Sequence, residues 1–315
     1  MHRRKIQLVA GTTYSVSLPK AWVKKNNLKK RHEIIITENN NRSLVISPYA
    51  LEDKKISEIS LNVDDYLENI DQIIFAIYYL GAETINLFSK KGLAKEAKAK
   101  IRKTITHMSG TEISYEDKNK ITLKVLLDKS KIDINQILYR ISLIVDLSIS
   151  NLLEDLDIVE IRMNENEIDR LFHLMTKIVS LALIDSKVLL SSRIRNVSLI
   201  PSYFLISKKL ENIGDNINHL CEYLHKCRKS ISQEKLLELV KKELNRSTKH
   251  LLAASDNVFR KISNAEIAGI KKKLAEINDK AISDYLEDII RFTVDIEEEI
   301  INISFYRKMI KDSIL

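Results

Sequence analysis

Leu210-Glu211-Asn212-Ile213-Gly214-Asp215-Asn216-Ile217 combines three features that a plain surface helix does not need together. Leu210, Ile213 and Ile217 recur at helical spacing and form an apolar stripe. Glu211 and Asp215 stand one turn apart, so their like charges stack on one face and mildly destabilise the bare helix until a counterion or basic partner joins them. Between them Gly214 costs about 1 kcal/mol in a helix interior, which implies that another helix approaches closely at that point.

The same amphipathic periodicity runs outward from Asn135 to Ile310, through Ile137, Ile141, Ile144, Val145 and Ile149, then Ile168, Leu171, Phe172, Met175, Ile178 and Val179. Breaks expected near Glu160 to Asn164, Ser191 to Pro201, Lys226 to Gln233 and Ser263-Asn264 cut it into five or six helices, a bundle over residues 135–312. Glu165 and Asp169 repeat the one-turn spacing of Glu211 and Asp215, so two such helices side by side offer four carboxylates to a cation. All-oxygen ligands suit Mg, Ca or Mn, and His219, four residues after Asp215, could add a nitrogen. Spacing alone favours an ordinary solvated helix face and an ordinary histidine. Farther along, Glu287, Arg291 and Asp295 stand one turn apart on one helix face, and an Arg between two acids points to a structural ion pair.

Upstream the pattern changes twice. Residues 54–133 read as a small central α/β domain: alternation over Ile56 to Leu61, a helix carrying Ile70, Ile73, Ile74, Ile77 and Leu80 and stopped by Gly81, and a strand Thr84 to Phe88. A basic helix from Leu93 to Ser109 ends at Gly110, and a hairpin follows, turning at Asp117-Lys118-Asn119-Lys120. Its Lys95, Lys98, Lys100, Arg102 and Lys103 are expected to form a solvated face. Residues 1–50 carry short β-branched runs at Lys5 to Val9, Tyr14 to Leu18, Glu33 to Thr37 and Leu44 to Ile46, with turns at Gly11 and Asn39-Asn40-Asn41. One short helix starts at Pro19.

Charge separates this first segment from the rest. The 315-residue chain has net charge +8. Residues 1–48 hold ten Lys and Arg against only Glu33 and Glu38, which leaves 41 basic and 41 acidic residues elsewhere. Such asymmetry is expected of a module that binds nucleic acid, with Arg3, Arg4, Lys5, Lys20, Lys24, Lys25, Lys29, Lys30 and Arg31 as its phosphate-facing residues. A solvated basic surface is the plain alternative. A segment this short buries too little apolar surface to stand alone and calls for completion by a second chain.

The motifs resemble known families. Thr12-Thr13-Tyr14-Ser15-Val16-Ser17-Leu18-Pro19-Lys20-Ala21-Trp22 and Ser43-Leu44-Val45-Ile46-Ser47-Pro48 resemble the AbrB/SpoVT DNA-binding domains, which implies a swapped-hairpin β homodimer with its basic face on duplex DNA. Arg31-His32 stands where that family usually places a Gly before its acidic residue, here Glu33. Asn164-Glu165-Asn166-Glu167-Ile168-Asp169 and Leu210-Glu211-Asn212-Ile213-Gly214-Asp215 resemble the paired acidic motifs of the PhoU family. That resemblance implies two three-helix repeats and nominates Glu165, Asp169, Glu211 and Asp215 as ligands to a divalent or trivalent metal, Mg, Mn, Fe or Zn. The whole order resembles archaeal phosphate uptake regulators.

The expected fold is therefore mainly α and multidomain, with an AbrB-like head, a central α/β connector and a PhoU-like helical bundle. Six Gly and three Pro exclude turn-dense β and collagen-like architectures. The longest nearly apolar stretch, Ile73 to Ala82, is too short to span a bilayer, and a cytoplasmic protein is expected. Cys221 and Cys227 stand roughly 9 Å apart along one helix, beyond disulfide reach. Phosphate loop, dinucleotide fingerprint and nucleophile elbow are absent, and Glu222-x-x-His225 is a single copy where di-iron sites need two. The expectation is a non-enzymatic, phosphate-responsive DNA-binding regulator. Its alternative is an adaptor that dimerises through the head and docks a phosphate transporter or sensor kinase.

Overall fold

The computed structural model describes residues 3–39, 43–48, 57–253, 255 and 257–314. Arg42 and part of the Asn39–Asn41 turn lie outside the described residues. The chain forms two compact units, Met1–Lys55 and Ile56–Leu315. In the first, β1 (Gln7–Val9) pairs antiparallel with β2 (Thr13–Ser15) through Leu8 and Tyr14, and Gly11 takes the left-handed conformation in the turn between them. Helix α1 (Lys20–Lys25) follows, and β3 (Ile35–Asn39) pairs with β4 (Ser43–Ser47) through Ile36 and Ile46. Arg31 sits at φ +73°, a conformation that costs an L-residue roughly 1–2 kcal/mol and explains the Gly usual in the AbrB pattern. Ile6, Leu8, Tyr14, Ile36 and Leu44 are all exposed.

The second unit opens with a four-stranded mixed sheet. Strand β5 (Glu58–Asn62) runs parallel to β6 (Thr84–Phe88), connected by α2 (Ile70–Tyr79). Helix α3 (Lys95–Thr106) then leads to the hairpin of β7 (Thr111–Glu116) and β8 (Lys120–Val125), giving the order β5-β6-β8-β7. Ile85 and Leu87 of β6 and Ile121 and Leu123 of β8 join Ile70, Ile74 and Ile101 in one apolar core. The basic face of α3 is largely paired within the unit: Lys98 and Arg102 with Glu116 at 3.2 and 2.9 Å, and Lys100 with Asp71 at 3.0 Å.

Seven helices complete this unit: α4 (Ile134–Glu154), α5 (Ile158–Ala182), α6 (Ser186–Ser191), α7 (Ile200–Cys227), α8 (Glu234–Leu252), α9 (Asn264–Ala275) and α10 (Lys280–Ile314). Helices α4, α5 and α7 pack mutually, α10 lies along α7 and α8, and α9 packs on α10. The break expected at Glu160 to Asn164 falls earlier. Leu156 turns at φ +50° and Asp157 caps α5 by accepting from the amides of Val159 and Glu160, so Glu160 to Asn164 are already helical. Helix α4, unlike the Ile73 to Ala82 stretch, is long and apolar enough by length and composition to cross a membrane, yet half of it is buried in the bundle. Cys221 and Cys227 are both free, on α7.

The bundle meets the α/β layer where α5 crosses the C-terminal ends of α2 and α3. Gly81 ends α2 at φ +88°, and a Cβ there meets Leu181 Cδ2 at 2.7 Å. Lys177 Nζ donates to the Tyr78 carbonyl at 2.7 Å, and Arg170 Nη1 donates to Ser109 Oγ at 2.7 Å. Burial, above all, pulls the Lys177 ammonium down to about 7.

Candidate metal centre

Gly214 sets the geometry of the bundle's acidic face. A Cβ at that position meets Ile168 Cδ1 at 2.8 Å, so α5 and α7 approach as closely as the mid-helix Gly implies. The close approach brings Glu165 and Asp169 of α5 against Asp215 of α7, with one carboxylate oxygen from each within 4.8 Å of the others. All three are partly buried. Burial, then the charges of Glu165, Asp215 and Glu211, push the Asp169 carboxyl up to about 7. Glu165 and Asp215 are also raised, burial being the largest cause for each. Among the described residues no Lys or Arg pairs with any of the three. Converging oxygens at this separation, each costly to ionise alone, fit a hard or borderline cation.

Glu211 is placed differently. Lys208, one turn before it, holds its carboxylate at 2.6 and 2.5 Å, so this acid has a resident cation while its charge still reaches Asp169. His219 is outside the converging group, its ring 6.4 Å from that of Tyr285. In the second half Arg291 pairs with Asp288 at 2.6 Å and Asp295 with Lys209 at 2.6 Å, so these positions are satisfied side chain by side chain. Of the basic residues nominated in the head, Arg3, Arg4, Lys5, Lys20, Lys24, Lys25, Lys29, Lys30 and Arg31 are all exposed.

Two histidines stand beside the carboxylates without having been singled out in the sequence. His173 prolongs the Glu165–Asp169 stripe by one more turn of α5, a signal legible in hindsight from the spacing. Its ring stacks on Phe75 at 3.7 Å and its Nδ1 shares a hydrogen bond with the Tyr79 hydroxyl. Burial, then His107 and Lys208, lowers it to about 4, so it is neutral at pH 7. His107 caps the C-terminus of α3 and places Nδ1 4.0 Å from Asp169 Oδ2. No spacing in the chain links it to the acids. Together with Asp71, Phe75, Lys100, Lys103 and Thr104 these groups line an open pocket of about 330 Å³.

Comparison with known proteins gives two family matches. Residues 7–54 match the family described as antidote-toxin recognition MazE, bacterial antitoxin, and residues 123–224 match the PhoU domain. The second runs from within β8 to near the end of α7 and so takes in the half of the bundle that holds the carboxylates. No curated protein and no solved structure matches the chain. The chain joins an antitoxin-type, AbrB-like N-terminal domain to a PhoU domain.

Proposed function

We propose that the chain is a cytoplasmic, phosphate-responsive regulator: its N-terminal unit binds duplex DNA as a homodimer, and its bundle holds a metal ion and relays phosphate status. The observation that carries this reading is the coincidence, in one small unit, of the chain's whole positive excess with uncovered apolar strands. Strands that leave Leu8, Tyr14, Ile36 and Leu44 in water gain most by meeting a second copy, and Lys and Arg in excess gain most by replacing the counterions of DNA phosphates. The family matches support a regulatory rather than a catalytic role.

A salt titration of duplex DNA from the protein's own upstream region tests it. Full-length protein should lose affinity steeply with salt, and Lys24→Gln/Lys25→Gln/Lys29→Gln/Lys30→Gln should flatten the log–log slope by roughly 3 to 4. Binding that is indifferent to salt and to these substitutions would overturn the DNA half.

One observation favours a second reading. Tyr139, Leu143 and Leu147 stand one turn apart on α4, each about half exposed, and form an apolar stripe suited to a protein partner. In that reading the head only dimerises and the bundle docks a phosphate transporter or sensor kinase.

A further inference from the structure

We propose that the end of the bundle formed by the α5–α6 turn and α6 docks on a membrane surface rich in anionic lipid. Helix α5 ends at Ala182, and the turn that follows presents Leu183 and Ile184 side by side, 58% and 74% exposed. Leu190 on α6 and Val197 beyond it are exposed as well. Helix α6 buries Val188, and Lys187 and Leu190, three residues apart, both face water. Single exposed leucines are ordinary, whereas neighbouring ones gathered at one end of a fold mark a surface that something covers.

The α/β layer extends the same end. Leu80 and Leu126 are both more than half exposed. Gly81, next to Leu80, lies against Leu181, two residues before Leu183. The loop that carries Leu126 is tied to α6 where Ser191 Oγ donates to the Lys129 carbonyl and the Ile134 amide donates to the Ser192 carbonyl, each at 3.4 Å.

The second observation is charge. Residues 183–198 hold Lys187, Arg193 and Arg195 against one acid, Asp185, in a chain whose basic and acidic residues balance beyond residue 48. Asp185 is occupied in capping α6, accepting from the Lys187 and Val188 amides. Arg193 pairs with Asp133 at 3.0 Å and Lys131 with Asp128 at 3.2 Å. Among the described residues Lys129, Lys187 and Arg195 make no ion pair. Glu83, which shares a pocket with Leu126 and Lys129, opposes them and leaves the end positive.

This chemistry fits lipid better than protein. Residues 183–198 contain no aromatic side chain, whereas the energetic centres of protein interfaces draw on Trp, Tyr and Arg and under-use Leu. Leucine and isoleucine at a turn, interleaved with unpaired cations, suit the boundary between acyl chains and anionic headgroups, where apolar side chains sink roughly 5–10 Å.

The test uses full-length protein with Ile184→Cys carrying an environment-sensitive NBD label, in a Cys227→Ser background that leaves Cys221 buried. Lys271→Cys, exposed on α9, carries the label in a control. Vesicles of phosphatidylcholine with and without phosphatidylglycerol are the probe. The proposal expects a blue shift and protection from aqueous iodide at position 184 with phosphatidylglycerol, and neither at 271. Leu183→Ser/Leu190→Ser should weaken vesicle binding at least about tenfold, and Lys187→Gln/Arg195→Gln about fivefold per charge. All four side chains are exposed, so these variants keep the core, and unchanged circular dichroism checks it. Lys24→Gln/Lys25→Gln/Lys29→Gln/Lys30→Gln should leave the shift at 184 in place. Vesicle binding without a shift at 184, with an equal shift at 271, or lost in the head variant assigns the attraction to general charge and overturns the proposal. A shift with native membranes but not with protein-free vesicles also overturns it and gives this end to a membrane protein. No shift with either overturns it outright.

Discussion

The two halves of the bundle each bury a group of acids, and they treat the charge in opposite ways. In the second half, Glu297 of α10 is fully buried and Glu243 of α8 nearly so, but Arg246 reaches both at 2.6 and 2.5 Å, and the Ile262 amide donates to Glu297 at 2.8 Å. Arg246 in turn stacks over Phe259 at 4.4 Å. In the first half Glu165, Asp169 and Asp215 bring one carboxylate oxygen each within 4.8 Å of the others, and Lys208 bonds Glu211 instead of any of them. A buried carboxylate needs either a proton, a resident cation or one from solution. The second half carries its cation in the chain, and the first leaves the position to a proton or an ion.

The sharpest way to break this comparison is to remove the resident cation. Arg246→Met leaves Glu297 buried without its partner, and burial already raises that carboxyl more than any other influence on it. The expected cost is roughly 3 kcal/mol, read by chemical denaturation of the full chain, and it should shrink on acidification because protonated Glu297 no longer needs the guanidinium. A loss below about 1 kcal/mol would make the second cluster an ordinary surface network. A smaller effect is expected at the close approach that assembles the first cluster. Gly214→Val puts branched carbons where one Cβ already meets Ile168 at 2.8 Å, so α5 and α7 must separate. About 2 kcal/mol of destabilisation is expected, with weaker zinc binding although no carboxylate has been touched.

How much of this was legible in the sequence follows from which contacts are local. The mid-helix Gly214 and the one-turn spacing of Glu165 with Asp169 are properties of single helices, so the close approach of α5 and α7 could be read before the structure. Strand β6 over Thr84–Phe88 and the hairpin turn at Asp117 were also plain, because alternation and turn residues act over a few positions. The start of α5 was misplaced because the polar run Glu160 to Asn164 resembles a loop, whereas the actual break is a single left-handed residue, Leu156, before a capping Asp. Lys208 could have been seen, three residues from Glu211 on the same helix. His107 could not, because only the tertiary structure brings the end of α3 to Asp169 on α5.

The smallest effect separates a proton from an ion as the occupant of the first cluster. Asp169 is raised to about 7 in the folded chain against about 4 when unfolded. Between these values the folded state holds a proton that the unfolded state has released, so metal-free protein should lose stability as pH rises from about 4 to 7. Asp169→Asn carries no such proton and should remove Asp169's share of that slope, leaving the smaller part that the raised Glu165 and Asp215 carry, and should raise the melting temperature of metal-free protein at pH 7.5 by roughly 2–4 °C. With zinc present the order should invert. The ion requires the carboxylate, so wild-type protein gains stability with both metal and pH while the Asn variant gains little. Thermal melts at pH 5, 6 and 7.5, with and without zinc, read both signs from the same pair of proteins. A variant that is less stable than wild type in the absence of metal would mean that Asp169 is satisfied by the chain, as Glu297 is, and the difference between the two halves would disappear.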